Sequence, residues 1–210
     1  MRAMADIIRL MRNQSEKGTR VEPQDRMPPI PDAEMTEEQA AAVADFKATR
    51  NTTEFEGPFV PLLRSPELLR RAQRVGEYVR YHSALPSRLS EMAILIAARH
   101  WCQQYEWNVH AAAAGEAGLT EAVIDAIAES RRPAEMAEDE AALHDFCLEL
   151  LGNQCVSDPT YARALALFDE QGVIDTVGIL GYYQLLAMVM NTARTPLPDG
   201  VEERLASFPT

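Results

Sequence analysis

"PSRLSEMAILIAARHW", residues 86–101, decides how this chain folds. The stretch begins at Pro86 and carries Leu89, Met92, Ala93, Ile96 and Ala97 on one side of a helix, with Ile94 and Leu95 on the other. A helix that is apolar all round must be buried nearly all round. The expectation is a central helix wrapped by neighbours.

Working outward, "WCQQYEWNVH" (101–110) continues that helix or follows it after a short break, and its alanine-rich sequel runs to Gly118, a natural C-cap. "TEAVIDAIAES" (120–130), "DEAALHDFCLELLG" (139–152), "DPTYARALALFDEQG" (158–172) and the very apolar "DTVGILGYYQLLAMVMNTAR" (175–194) read as further helices. Pro196 and Pro198 end the structure. On the N-terminal side, "SPELLRRAQRVGEYVRYHSAL" (65–85) has Ser65 as N-cap and Pro66 at the first helical position. Its residues Leu68, Leu69, Ala72, Val75 and Val79 form the apolar face, and its arginines form an outer face. "MTEEQAAAVADFKATR" (35–50) starts at Thr36 with a glutamate expected to complete a capping box. The apolar loop "NTTEFEGPFVPLLRSP" (51–66) is expected to cover something, and "TRVEPQDRMPPIPDAE" (19–34), with four prolines, is expected to lie as an extended arm over the domain or a neighbouring subunit. No segment alternates with period two, so the fold class is all-α with about eight helices. The division is an arm (1–34), a helical domain (35–198) and a tail (199–210).

Composition bounds function. A net charge of −12 over 210 residues, with acids spread through several helices, argues against a nucleic-acid partner. Cys102, Cys147 and Cys155 are an odd set without C-x-x-C spacing, which argues against a disulfide framework and makes a reducing cytoplasm the default. The N-terminal "MRAMADIIRLMRNQSEKG" (1–18) is interrupted by Asp6 and Arg9 and reads as neither signal peptide nor membrane span; Met4 is a candidate start. No membrane partner is expected.

Chemistry concentrates in residues 101–110. Residues four apart share a helix face, so Glu106 and His110 point together, with Gln103 one turn earlier and Cys102 on the side of Glu106. If the helix carrying Glu91 packs back on this one, its carboxylate can also reach the imidazole. A carboxylate against a histidine fixes its tautomer and makes a proton donor and acceptor near neutral pH. The same spacing also suits a solvated surface pair. A metal would need Glu106, His110 and Glu91 as ligands, while His82, His100 and His144 lack ligand spacing, so neither metal nor cofactor is expected. Tyr182 and Tyr183 either line a pocket or pack where Gly178 and Gly181 let helices approach. Arg131 and Arg132 read as a solvated face.

The run "LPSRLSEMAILIAARHWCQQYEWNVHAAAAGEAGLTEAVIDAI", continued by "LHDFCLELL", "YARALALF" and "GVIDTVGILGYYQLLAMVMNT", resembles the carboxymuconolactone decarboxylase family, which includes the alkyl hydroperoxidase D proteins, over residues 55–195. The resemblance implies an all-α trimer or hexamer with sites in helical pockets near subunit contacts. Its decarboxylases convert 4-carboxymuconolactone to an oxoadipate enol-lactone and CO2 without a cofactor. Its peroxidase branch carries a glutamate, a C-x-x-C pair and a histidine. With that histidine on His110, Glu91 takes the glutamate position, while Gln103 and Glu106 fall where the cysteines stand. Cys102 is one residue off register, with Tyr105 in its partner position. A dithiol cycle needs two sulfurs, so the resemblance favours the decarboxylase branch, with E-x-x-x-H at Glu106 and His110. It implies a small carboxylated lactone as substrate, His110 as proton donor oriented by Glu106 or Glu91, and Tyr105 or Tyr183 donating to an enolate oxygen. Trp107 is expected as a pocket wall, with Gln103 and Cys102 also at the substrate. A lactone hydrolase using the same pair is the alternative.

Overall fold

A computed structural model describes residues 24–206, so residues 1–23 of the arm, with Met4, and residues 207–210 of the tail lie outside the described residues. The described residues form eight α-helices and no strand: α1 (Glu37–Arg50), α2 (Phe59–Leu62), α3 (Pro66–Tyr81), α4 (Ser87–His100), α5 (Gln104–Glu116), α6 (Glu121–Ala128), α7 (Glu138–Asn153) and α8 (Asp158–Ala193). All-α is thus the fold class, as the sequence leads one to expect.

Every residue of α4 from Leu89 to Arg99 is buried, because α5, α6, α7 and α8 all pack on it. An apolar helix has no solvated face to keep, so encirclement removes the most apolar surface from water. α1 packs on α3, and α3 on α8.

Local chemistry sets the helix limits. The box at the start of α1 closes with Gln39 rather than a glutamate: Thr36 Oγ1 accepts from Gln39 N at 3.2 Å and Gln39 Oε1 from Thr36 N at 3.0 Å. Thr120 caps α6 by accepting from Val123 N.

Three expectations change. The apolar loop folds one short helix, α2, whose Pro61 and Leu62 are buried. The two C-terminal helices join as α8, and the break between them falls not at Gly172 but at Asp169, with φ 57° and ψ 178°. On α3 the buried residues are Leu69, Ala72, Gln73, Gly76 and Val79, whereas Leu68 and Val75 are 45% and 48% exposed.

α8 is long and apolar enough to cross a membrane by length and composition, but 56% of its apolar window is buried against its own domain. Residues 24–34 lie on the domain: Arg26 N–H donates to Ala193 O at 2.8 Å, and Arg64 Nη2 donates to Pro28 O.

Candidate active site

α4 and α5 form a hairpin whose turn is Trp101–Gln103. Cys102 takes a left-handed φ of 48°, so the chain reverses there instead of continuing as one helix. Gln103 caps α5: its Oε1 accepts from Tyr105 N at 2.7 Å, and its Nε2 donates to Asn191 Oδ1 at 2.9 Å. Thus fixed, the hairpin lays α5 along α4 and sets His110 against Glu91.

The His110 Nδ1 to Glu91 Oε2 distance is 2.6 Å, and both residues are buried. On the other edge of the ring, Arg80 Nη1 stands 3.5 Å from His110 Nε2 and 3.5 Å from Tyr183 Oη. A guanidinium only donates and a carboxylate only accepts. Both contacts therefore assign the same tautomer, with the proton on Nδ1 and a lone pair on Nε2. Burial pulls the imidazole below its ordinary value of 6.5, opposed by Glu91 and assisted by Arg80. Arg80 itself sits above its usual value; burial lowers it, but Tyr183 and Glu91 outweigh that.

Glu106 stands one turn before His110 on α5, yet it is not the histidine's partner. It is 3% exposed, and neither of its carboxyl oxygens has a hydrogen-bond partner among the described residues. Burial holds this group well above the usual carboxyl value of 4.5. Burial thus favours the protonated acid at Glu106 and the neutral imidazole at His110.

Both groups face one cavity of about 290 Å³. Arg80, Tyr182 and Tyr183 line it from α3 and α8, and Tyr105 from α5. Phe46 and Arg50 of α1 line it with Phe59, while Glu54 and Glu56 come from the 51–58 loop. Burial raises the Tyr183 phenol despite Arg80, and raises Tyr182 and Tyr105 each to about 12, so all three keep their protons.

Two glycines shape this wall. Gly57, at φ +59°, would place a Cβ 2.7 Å from Tyr105 Cε1. A Cβ on Gly76 would stand 2.1 Å from Tyr182 Oη and 2.7 Å from Arg50 Nη2, so only glycine leaves room for that pair.

The structure brings Glu91, Glu106, His110, Tyr105 and Tyr183 together and separates the other expected residues from the cavity. Cys102 sits in the turn, its sulfur 3.0 Å from Arg99 Nη1. Gln103 is spent on capping, because a helix start buried in the fold needs its free N–H groups satisfied. Trp107 is 1% exposed in the hydrophobic core and does not line the cavity. The seam expected at Gly178 and Gly181 holds only in part: Gly178 approaches Val79, whereas nothing stands near Gly181. Arg131 and Arg132 are exposed, as expected, and pair with Glu129 and Asp145 on the surface.

Arg80 and Arg50 were missed by sequence reasoning. The former carries a signal all the same: Leu69, Gln73, Gly76 and Arg80 recur at spacings of four, three and four, which puts the arginine on the buried face of α3.

Among the described residues no group of three or more His, Cys, Asp or Glu side chains is arranged to hold a metal ion. Glu91 is engaged by the imidazole, and Glu106 meets neither.

The described residues form an all-helical domain whose central hairpin presents His110 and Glu106 at a small cavity, with Glu91 behind the histidine. Residues 66–144, from the start of α3 into α7, match the model of the Carboxymuconolactone decarboxylase family. Arg80, Glu91, Tyr105, Glu106 and His110 fall inside the match; α1, with Arg50, precedes it, and α8, with Tyr182 and Tyr183, follows it. No curated protein matches the chain.

Proposed function

We propose that the protein is a cofactor-free carboxy-lyase acting on a small carboxylated lactone. The observation that carries this reading is a pair of titratable groups pushed in opposite directions in one cavity: Glu106 towards the neutral acid and His110 towards the neutral base. The substrate carboxylate leaves as CO2, and its bonding electrons pass into the conjugated lactone carbonyl as a dienolate. Arg80 and the Tyr183 hydroxyl are the donors for the enolate oxygen. Glu106 then delivers its proton to carbon, and the carboxylate left behind recovers a proton from water through the adjacent imidazole. This exchanges the roles expected from the resemblance, since His110 rests without an Nε2 proton to give. Glu91 acts through His110 as a positioning residue.

A lactone hydrolase is the second reading, and the free lone pair on Nε2 favours it, because that atom can take a proton from an attacking water. The two reactions are separated by incubating the purified chain with carboxylated muconolactones and simple enol-lactones while following CO2 release and ring absorbance. CO2 release establishes the lyase, ring opening without CO2 the hydrolase, and no turnover in either series overturns both.

The peroxidase reading has little support. Cys102 faces Arg99 outside the cavity, Cys147 is buried with its thiol pushed up by burial, and Cys155 is exposed on another part of the fold. Turnover in the same assay is expected to be unchanged in Cys102→Ser, and a loss of more than about tenfold, or 1.4 kcal/mol, would return weight to thiol chemistry.

We also propose that the chain assembles as a homo-oligomer. Leu68, Val75 and Tyr78 of α3 and Ile174, Val177 and Met188 of α8 leave adjacent apolar surface in water, with Ile174 67% exposed. Light scattering is expected to give a multiple of the 23.4 kDa chain mass, and a monomer at assay concentration would overturn this.

A further inference from the structure

The far wall of the cavity carries a cation for which the proton-transfer step has no use. Arg50 belongs to α1 and lies outside the family-matched residues 66–144. It makes no ion pair among the described residues; its only hydrogen bonds are two long ones, from Nη2 to Gln73 O and to Tyr182 Oη, each 3.4 Å. Its Nε is buried without a partner. The guanidinium packs against a pair of touching rings, with its carbon 5.1 Å from the centroid of Phe46 and 5.0 Å from that of Phe59. Gly76 supplies the space behind it. Stacking positions a guanidinium without supplying an anion, and a half-buried cation whose N–H groups make only two long hydrogen bonds is matched by a planar carboxylate.

We infer that Arg50 is the residue that recognises a carboxylate on the ligand, and that this handle fixes which end of the substrate faces His110 and Glu106. This rests on the reading of the cavity as a substrate site. The two arginines then divide the work. Arg80, in contact with His110 and Tyr183, serves the reacting end, while Arg50, in contact with Tyr182, holds the end that does not react. Specificity for the handle thus comes from a helix that precedes the family segment. Loss of Arg50 should raise KM and leave kcat nearly unchanged, whereas loss of Arg80 should lower kcat.

The test is binding, which does not depend on turnover. Glutarate and adipate, their monomethyl esters and their dimethyl esters are titrated by calorimetry, in a carboxylate-free buffer, into the wild-type chain and into Arg50→Met and Arg50→Lys. The wild type is expected to prefer acids and monoesters over diesters. Arg50→Met is expected to weaken the acids and monoesters by about 10- to 100-fold, as for a hydrogen-bonded charge, with diester affinity unchanged. Arg50→Lys retains the charge without the fork and should lose part of that preference; it carries the test alone if the Met variant does not fold. Unchanged carboxylate affinity in the variants, a parallel loss for the diesters, or a wild type indifferent to the carboxylate would each overturn the assignment. Arg50-dependent binding without turnover of any lactone would instead remove the lyase reading and leave this one standing.

Discussion

Glu106→Gln is expected to make the protein more stable at alkaline pH and nearly inactive. The carboxyl is buried without a partner, and its folded value lies well above 4.5. In the unfolded chain it ionises near its ordinary value of about 4.3. Below that value both states hold the proton and the group costs nothing through ionisation. Above it, folding requires a proton that the unfolded chain has released, so stability is lost as pH rises, by about 1.4 kcal/mol per pH unit, until the raised folded value is passed. Glutamine keeps the shape and removes the titration. The gain in melting temperature over wild type should therefore grow from pH 4 upwards, while kcat/KM falls by about 10²- to 10⁴-fold through loss of the acid. Thermal melts of both proteins across pH 4–9 test the first half. A gain that does not vary with pH would mean that Glu106 is already ionised in the fold.

How far the sequence discloses this site differs from residue to residue. Helix α4 is legible because an all-round apolar pattern has only one solution, a central position. Glu106 and His110 are legible as cavity neighbours because they lie one turn apart on α5. The partner of His110 is not: Glu91 and Glu106 are equally plausible by spacing, and the choice is made by the reversal at Cys102, which turns α5 back on α4. Gln103 and Cys102 look functional because they are polar inside an apolar run, yet a tight break between two buried helices has its own need for polar atoms. Arg50 stands at the opposite limit. Its place in the cavity depends on α1 crossing α3 where Gly76 lacks a side chain, a contact between distant segments that no local pattern encodes. The exposed Leu68 and Val75 mislead for a related reason, since helical spacing counts apolar residues without saying whether this chain or another copy covers them.

His110→Gln should abolish turnover in a folded protein, lowering kcat/KM by about 10²- to 10⁴-fold, and Glu91→Gln should report why. The free enzyme needs Nε2 unprotonated, so the acid limb of the pH profile lies below pH 6.5, where burial and Arg80 have moved the imidazole against the pull of Glu91. Glutamine at position 91 can still accept from Nδ1–H through its amide oxygen, which preserves the tautomer and the fold. It removes the negative charge that favours imidazolium. The imidazole then falls further, the acid limb moves to lower pH, and kcat drops because a weaker base remains. Stability follows the same sign: the depressed histidine contributes stability that is present above its ordinary value of 6.5 and lost as pH falls through the folded one. Glu91→Gln, whose histidine is depressed further, should therefore lose more stability than the wild type as pH falls below 6.5. The pH profile of kcat/KM, read beside the Nε2 chemical shift of labelled His110, separates this from a merely structural role. A loss of activity with the acid limb unmoved would make Glu91 a packing residue, and a limb displaced to higher pH would reverse the sign of its influence on the imidazole.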